Sequence, residues 1–304
     1  MNKISVVRSP ALNAPSGLIA GAGDVWFTNI GDSTVGRVRG DVVETFADPA
    51  GAVKFPANIF PAADGRVWFT SLGSDALVAI DPGAPDPAAS MSTHPLPAGS
   101  RPVALKSGPD GRLWFSLRGA EAIGALDPTA ADPVASLQLF HAESISGPAA
   151  LFVTPEGQVW WVNSTSNTLG VLDPATGVVG TVAPLAGSPR AWAQTADGRL
   201  WVTTREPAGL LSFDPAYPVD SAVHVTDERL REPDGVWVGP DGAVWFADTA
   251  ANTIVRHQPG APEAWQFFGA PPDVEGPFDI KSGPDGTDLW FTNKGGNSIG
   301  RIEF

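Results

Sequence analysis

Hydrophobic and polar positions repeat along the whole chain in units of similar length. Each unit carries a short strand-like run in which a tryptophan lies between two apolar residues, as in Val25-Trp26-Phe27. Seven such tryptophans follow one another at intervals of 41 to 46 residues, namely Trp26, Trp68, Trp114, Trp160, Trp201, Trp245 and Trp290. A repeat of this length that is built from strands is typical of β-propeller blades.

Each unit also has the same internal order. It begins with a proline that is followed by an aliphatic residue, such as Pro102 and Leu105. An Asp-Gly turn, as at residues 110–111, supplies the positive φ that tight hairpins need before the tryptophan strand. A third apolar strand and an alternating fourth strand follow, for example residues 42–46. We therefore predict an all-β fold, a seven-bladed β-propeller with four antiparallel strands in each blade.

The two ends of the chain predict how the ring closes. The last unit stops at Phe304 after its third strand, whereas residues 3–8 precede the first unit and have no partner within it. We expect residues 3–8 to be the fourth strand of blade seven, which would join the ends and protect the open sheet edges. Seven blades account for residues 1–304, which predicts one domain. The seven tryptophans are expected to pack between blades, where each indole can bury ~150–250 Å².

Composition then excludes several classes of protein. The 34 glycines and 30 prolines argue against a helical bundle, because both residues disrupt helix interiors. The absence of cysteine excludes disulfides, thiol nucleophiles and thiolate metal sites. A net charge of −14 argues against nucleic acid or an anionic membrane surface as a partner. With no signal peptide and no long apolar run, we expect a cytoplasmic protein, and we expect a monomer.

The combination Pro-x-x-Ile/Leu, Asp-Gly-x-Leu/Val-Trp-Phe-Thr and Asn-x-Ile-Gly-Arg-Ile resembles the virginiamycin B lyase family. The best copies are residues 16–38 and 276–302, and seven copies extend over essentially the whole chain. The resemblance implies a seven-bladed propeller. It also implies a magnesium-dependent elimination that linearises streptogramin B depsipeptides at their ester. In the family, glutamates and histidines of the last two blades carry out this chemistry at one mouth of the central channel.

The residues at the family's catalytic positions differ in this chain. Asp234 stands where the family has a histidine after the first-strand proline of blade six, and residues 276–278 read Gly-Pro-Phe in place of Glu-Pro-His. Asn293 and Lys294 occupy the position of a further glutamate, and Ser16 that of a tyrosine. The elimination needs a base and a metal that stabilises the enolate, and phenylalanine supplies neither. We expect the family's own reaction not to be retained.

The first strands of a propeller line its channel, so the residues beside the first-strand prolines are the candidates for chemistry. The charged residues among them are Arg101, Arg190, Glu232 and Asp234. We predict Glu232 and Asp234 as catalytic residues, because side chains two residues apart in a strand point to the same face. The predicted substrate-binding residues, with the arginines holding an anionic group, are Arg101, Arg190, Phe278 and Ser16.

Three interpretations of the blade-six carboxylates remain open. Asp234 and Glu232 could form ion pairs with Arg190 of the preceding blade. Two close carboxylates could instead share a proton, which raises one pKa and makes a base. Glu232 and Asp248 could also bind a metal ion. Mg²⁺ or Ca²⁺ would suit this site, because both ions prefer oxygen ligands.

Three functions follow from these interpretations, all with a small-molecule ligand in the central channel or a partner at its mouth. The first is a diverged lyase-type enzyme that acts on a small or cyclic metabolite. The second is a propeller that binds a ligand or a protein without catalysis. The third is a metal-dependent lactonase or esterase.

Overall fold

A computed structural model describes residues 3–182, 187–261 and 265–304. These residues form seven separate four-stranded antiparallel sheets. The only helical elements within the described ranges are two short 3₁₀ turns, Ala88–Ser90 and Pro133–Ser136. No helix of that part of the chain is long and apolar enough to cross a membrane. The prediction of an all-β, seven-bladed propeller is confirmed.

Each blade consists of an inner, a second, a third and an outer strand. The inner strands are β2 (Pro15–Gly21), β6 (Pro56–Pro61), β10 (Pro102–Ser107), β14 (Pro148–Val153), β18 (Gly187–Gln194), β22 (Pro233–Val238) and β26 (Pro277–Ser282). The second strands are β3 (Asp24–Asn29), β7 (Val67–Ser71), β11 (Leu113–Leu117), β15 (Val159–Asn163), β19 (Leu200–Glu206), β23 (Val244–Asp248) and β27 (Asp288–Asn293). The third strands are β4 (Thr34–Arg39), β8 (Ala76–Ile80), β12 (Ala122–Leu126), β16 (Thr168–Asp173), β20 (Ala208–Phe213), β24 (Thr253–His257) and β28 (Ser298–Glu303). The outer strands are β5 (Val42–Phe46), β9 (Ser92–Pro95), β13 (Gln138–His141), β17 (Val178–Val182), β21 (Val223–Thr226), β25 (Trp265–Phe268) and, for blade seven, β1 (Lys3–Arg8).

Ring closure follows the prediction from the two chain ends. Strand β1 pairs antiparallel with β28, from Lys3 opposite Glu303 to Arg8 opposite Ser298. The inner strands of successive blades contact one another all the way round, including β26 with β2. The outer edge of blade seven is therefore completed by the start of the chain.

The blades are held to one another by tryptophans, as the repeat predicted. Trp68 of blade two is fully buried and packs with Leu105 and Leu113 of blade three. Trp290 of blade seven packs with Leu18 of blade one, which continues the pattern across the closure. All seven register tryptophans have at most 6% of their surface exposed, and each lies in a different hydrophobic cluster at one junction between blades.

A bulge in every inner strand sets which side chains reach the channel. The register with the second strand shifts between the proline and the third residue after it in all seven blades. A bulge of this kind changes the direction of local side chains. Threonine hydroxyls bridge it to the next blade in four cases: Thr28 Oγ1, for example, accepts a hydrogen bond from the Gly17 amide and donates one to the Ala57 carbonyl of the next blade. The same threonine bridge recurs at Thr70, Thr203 and Thr292.

Deletion of residues 1–8 should lower the melting temperature by several degrees or prevent folding. The deletion removes the whole β1–β28 ladder together with the packing of Ile4 and Val7 against two clusters. Circular dichroism melts of purified proteins are the measurement. A Lys3→Ala, Arg8→Ala double variant keeps the strand and serves as the control. An unchanged melting curve for the deletion would refute the closure.

Candidate functional site

The central channel contains a cavity of about 280 Å³ that is lined by the inner strands and by loops beside them. Four of the residues expected at the channel, Ser16, Arg190, Asp234 and Phe278, line it. Each directly follows the proline of its inner strand, where the bulge lies. Ser16 is buried, with 3% of its surface exposed.

Glu232 and Arg101 precede their prolines and lie beside this cavity without lining it. The side chain of Arg101 is exposed, and its backbone is left-handed with a φ of 49°. The Asp75 carboxylate stabilises this conformation by accepting a 2.7 Å hydrogen bond from the Arg101 amide. Glu232 is paired with Arg205 and keeps 35% of its side chain exposed. Arg205 therefore links Glu232 and Asp234, because it forms an ion pair with both carboxylates.

The Asp234 carboxylate accepts hydrogen bonds from three side chains of the site. Its side chain is 4% exposed and pairs with Arg190 at 3.1 Å and with Arg205 at 2.6 Å. The Thr249 hydroxyl donates a third hydrogen bond, of 2.8 Å, to the same carboxylate. Charge-assisted bonds of this kind are stronger than bonds between neutral groups, and they fix the planes of the guanidinium groups. The ion pair with Arg190 that we considered from the sequence is present, and Arg205 joins it.

Asp248 has a different environment from the one we expected for a metal ligand. Its carboxylate accepts hydrogen bonds from the backbone amides of Arg231, Glu232 and Ala251, at 2.8, 2.8 and 3.2 Å. Asparagines hold the same position in three other blades, and Asn29 likewise accepts a bond from the amide of Asn13. The buried Asp248 carboxylate therefore fixes the backbone of the loop before β22. No group of three potential metal-ligating side chains forms within residues 3–182, 187–261 and 265–304.

Positive side chains collect at the cavity. Arg118, Lys294 and Lys106 line it together with Arg190. In the part of the chain that the structure describes, no carboxylate lies within 4.0 Å, the limit for an ion pair, of Arg118, Lys294 or Lys106. Burial lowers the pKa of Arg118, and the neighbouring charges of Arg190 and Arg101 lower it further. The Lys294 ammonium lies 4.6 Å from the centre of the Phe278 ring, which attracts a cation through its negative face.

Lys106 lies deeper, on the inner strand of blade three. Its ammonium is 4.4 Å from the centre of the Phe60 ring. Burial lowers its pKa to about 7, the positive charge of Lys281 adds to this effect, and Asp279 opposes it. Lys281 itself is bonded to Asp279 and to the Ile280 carbonyl. Lys106 is therefore a partly neutral amine inside the channel.

Sequence reasoning missed Arg118, Arg205 and Lys106. Arg118 directly follows its second strand, and Arg205 occupies the same repeat position as Lys294 in blade seven. Lys106 and Lys281 both lie four residues after the inner-strand proline. A comparison of these two positions across all seven repeats would have shown the recurring cations: Arg118, Arg205 and Lys294 after the second strands, and Lys106 and Lys281 in the inner strands.

A larger hollow of about 710 Å³ lies between blades five and six, away from the channel. His257 forms part of its wall and packs against Trp201 and Trp265. Burial lowers the pKa of His257 to about 4 and so keeps the imidazole neutral. None of the residues predicted for the functional site lines this hollow.

Several solved structures share this fold. A catalytically inactive virginiamycin B lyase from Staphylococcus aureus with quinupristin is 18% identical, covers 100% of both chains and has a TM-score of 0.85. A streptogramin B lyase is 20% identical over 99% of this chain and 97% of that chain, with a TM-score of 0.83. YCF48 bound to D1 peptide is 16% identical over 99% and 95%, with a TM-score of 0.74. No curated protein matches the chain in sequence.

The family comparison agrees with the motifs read from the repeats. The model of the virginiamycin B lyase family matches residues 3–204 and, in an overlapping second match, residues 83–304. Together the two matches extend over nearly all of the sequence. The chain belongs to the virginiamycin B lyase family.

Proposed function

We propose that this protein binds a small carboxylate-bearing molecule in its central channel. Arg118, Arg190 and Lys294 are the cationic contacts. The observation that carries the proposal is the concentration of positive side chains in the cavity of a protein whose net charge is −14.

The electrostatics of the cavity favour an anion. Arg118 and Lys294 have no carboxylate within ion-pair distance among the described residues. Burial lowers the pKa of Arg118, and repulsion from Arg190 and Arg101 lowers it further. Like charges brought together repel, and a bound anion relieves that repulsion. A cleft lined by one sign of charge also concentrates ligands of the opposite sign. A guanidinium presents two parallel N–H donors that match a carboxylate.

Glu232 and Asp234 belong to this proposed site as positioning residues. Asp234 bonds Arg190 and Arg205, and Glu232 bonds the other side of Arg205. The two acids hold the two arginines in one arrangement and so limit the entropy lost when a ligand binds. A carboxylate that already accepts three hydrogen bonds is poorly placed to remove a proton from a substrate.

The size of the cavity favours a metabolite. Its volume of about 280 Å³ is just below the ~300–1,000 Å³ that is usual for pockets that enclose drug-sized ligands. Ser16 and the Phe278 ring provide a short polar and a flat apolar wall beside the charged groups.

A second candidate is a diverged lyase-type enzyme that acts on the same small anion. The observation in its favour is Lys106, whose lowered pKa of about 7 suits an amine that exchanges protons with a substrate. The two candidates share the anion site and differ in whether the bound molecule is changed.

Arg118→Ala and Lys294→Ala should each weaken the binding of small carboxylates. Glycolate and succinate are the probes, and the rise in melting temperature with ligand concentration is the measurement, since a ligand that binds only the folded state stabilises it. Arg8→Ala and Lys3→Ala remove the same charges from β1, on the outer edge of blade seven, and serve as matched controls. Equal ligand response in the channel variants and their controls would contradict the proposal.

Asp234→Asn should lower the free energy of unfolding by about 1–3 kcal/mol, because Arg190 loses its charged partner and Arg205 loses one of its two. Urea denaturation is the measurement. Asp227→Asn breaks the ion pair with Arg229, whose side chain is 57% exposed, and should cost about 0–1 kcal/mol. A midpoint for Asp234→Asn as high as that of the control would show that the network does not position the arginines.

We expect no ring opening of streptogramin B depsipeptides by this protein in the presence of Mg²⁺. Phe278, Asp234 and Lys294 occupy positions where the family's reaction needs a histidine, a histidine and a carboxylate, and Lys294 repels a divalent cation. Mass spectrometry of quinupristin incubated with the protein is the measurement, with an authentic family enzyme as the positive control. Linearisation at a rate comparable to that enzyme would overturn the expectation.

A further inference from the structure

Two arginines of blade three stand side by side at the mouth of the channel. Arg101 directly precedes β10, and Arg118 directly follows β11. The Arg118 amide donates a 3.2 Å hydrogen bond to the Arg101 carbonyl, which fixes the two backbones next to each other. Within the described ranges, neither guanidinium has a carboxylate within 4.0 Å. Blade three therefore places two positive charges without an ion-pair partner at one point of the rim.

The backbone of this loop directs the Arg101 side chain towards Arg118. Arg101 has a left-handed φ of 49°, which is uncommon for a residue with a side chain. The Asp75 carboxylate holds it there by accepting hydrogen bonds from the amides of Gly99 and Arg101, at 2.8 and 2.7 Å. Gly119 leaves space for the side chain, since a Cβ at this residue would lie 3.1 Å from Arg101 Cγ. The Arg101 side chain thus runs along residue 119, directly beside Arg118.

Arg190 of blade five brings a third guanidinium close to Arg118. Both side chains line the cavity of the channel. Arg118 Nη2 donates a 3.3 Å hydrogen bond to Ser164 Oγ of blade four, so its side chain extends from blade three in the direction of blade five. Partial burial lowers the pKa of Arg118, and the charges of Arg190 and then of Arg101 lower it further. Both arginines therefore lie near enough to act on the Arg118 charge.

The charges of the network behind Arg190 cancel one another. Arg190 and Arg205 are paired with Asp234 and Glu232, which makes two cations and two anions. The two positive charges of blade three remain for a ligand. A carboxylate brings one negative charge and two oxygens. A phosphate monoester brings about −1.5 to −2 charges at pH 7 and three strong acceptor oxygens, so it matches the mouth more closely.

We propose that Arg101, Arg118 and Arg190 together receive a phosphoryl dianion, so that the ligand of the channel carries a phosphate monoester besides its carboxylate. This proposal rests on the anion site proposed above and names the class of its ligand. Guanidinium groups present a fork of N–H donors that matches phosphate oxygens. Three guanidinium groups suit the three terminal oxygens of a phosphate monoester.

Four probes separate the charge of the ligand from its shape. Phosphoglycolate carries a carboxylate and a phosphate monoester, and glycolate carries the carboxylate alone. Methyl phosphate is a dianion, and dimethyl phosphate has the same tetrahedral group with a single charge. Isothermal titration calorimetry of the intact protein at neutral pH gives each Kd. We expect phosphoglycolate to bind at least about tenfold more tightly than glycolate, and methyl phosphate than dimethyl phosphate, as one additional charge-assisted contact predicts.

Arg101→Ala tests the arginine that distinguishes this proposal from the anion site beneath it. The variant should weaken the binding of phosphoglycolate more than that of glycolate, so that the ratio of the two Kd values falls about tenfold. Arg101→Lys keeps the charge without the fork of donors and should recover the preference only in part. Arg8→Ala removes an exposed arginine from β1 and should leave the ratio unchanged.

The outcomes distinguish the two proposals. Equal affinity for phosphoglycolate and glycolate overturns the phosphoryl site, and so does an Arg101→Ala protein that keeps the full preference. If glycolate binds in either case, the anion site stands and only the choice of a phosphorylated ligand fails. If neither ligand binds, both proposals fail. Inorganic phosphate that binds more tightly than phosphoglycolate would show that the free ion is the ligand and would contradict a phosphorylated acid.

Discussion

The burial of one tryptophan at each junction between blades is the interaction on which the rest of this structure depends. A four-stranded sheet leaves two apolar faces in water, and each blade buries these faces only against its neighbours. The seven tryptophans fill the seven junctions, and Trp290 carries the pattern from blade seven to blade one. No blade is stable without the adjoining ones, so the pairing of β1 with β28 protects the whole ring. A rigid ring in turn fixes the inner strands that surround the channel.

The bulges in the inner strands direct the residues after the prolines towards the channel. The bulge after each proline is held by the same backbone arrangement in every blade, and in four blades a threonine bridges it to the next one. The backbone around the channel is therefore nearly independent of the side chains it carries. The residue after the proline can therefore differ between blades without disturbing the ring, as Ser16, Asp234 and Phe278 do.

Electrostatics distinguish the interior of the channel from the outside of the protein. The acidic groups are mostly exposed, whereas Arg118, Arg190, Lys294 and Lys106 are collected in one cavity. Asp234 pairs with Arg190 and Arg205 and fixes their planes, whereas the other three cations have no carboxylate within 4.0 Å among the described residues. This arrangement differs from the magnesium-binding mouth of glutamates and histidines that the family resemblance implied.

The sequence by itself determined the seven blades, their strand order, the closure by residues 3–8 and the inter-blade role of the tryptophans. These features depend on a local periodicity and on turn residues that recur in every repeat. It also identified Asp234, Arg190, Phe278 and Ser16 as channel residues, because their place after a proline is part of the repeat. Only the tertiary structure decided the roles of Arg205, Asp248 and Lys106. Arg205 of blade five meets Asp234 of blade six, Asp248 turns towards backbone amides, and Lys106 has no carboxylate within 4.0 Å among the described residues. Such distances between residues far apart in the chain are set by the packing of blade on blade, which no local pattern of residues records.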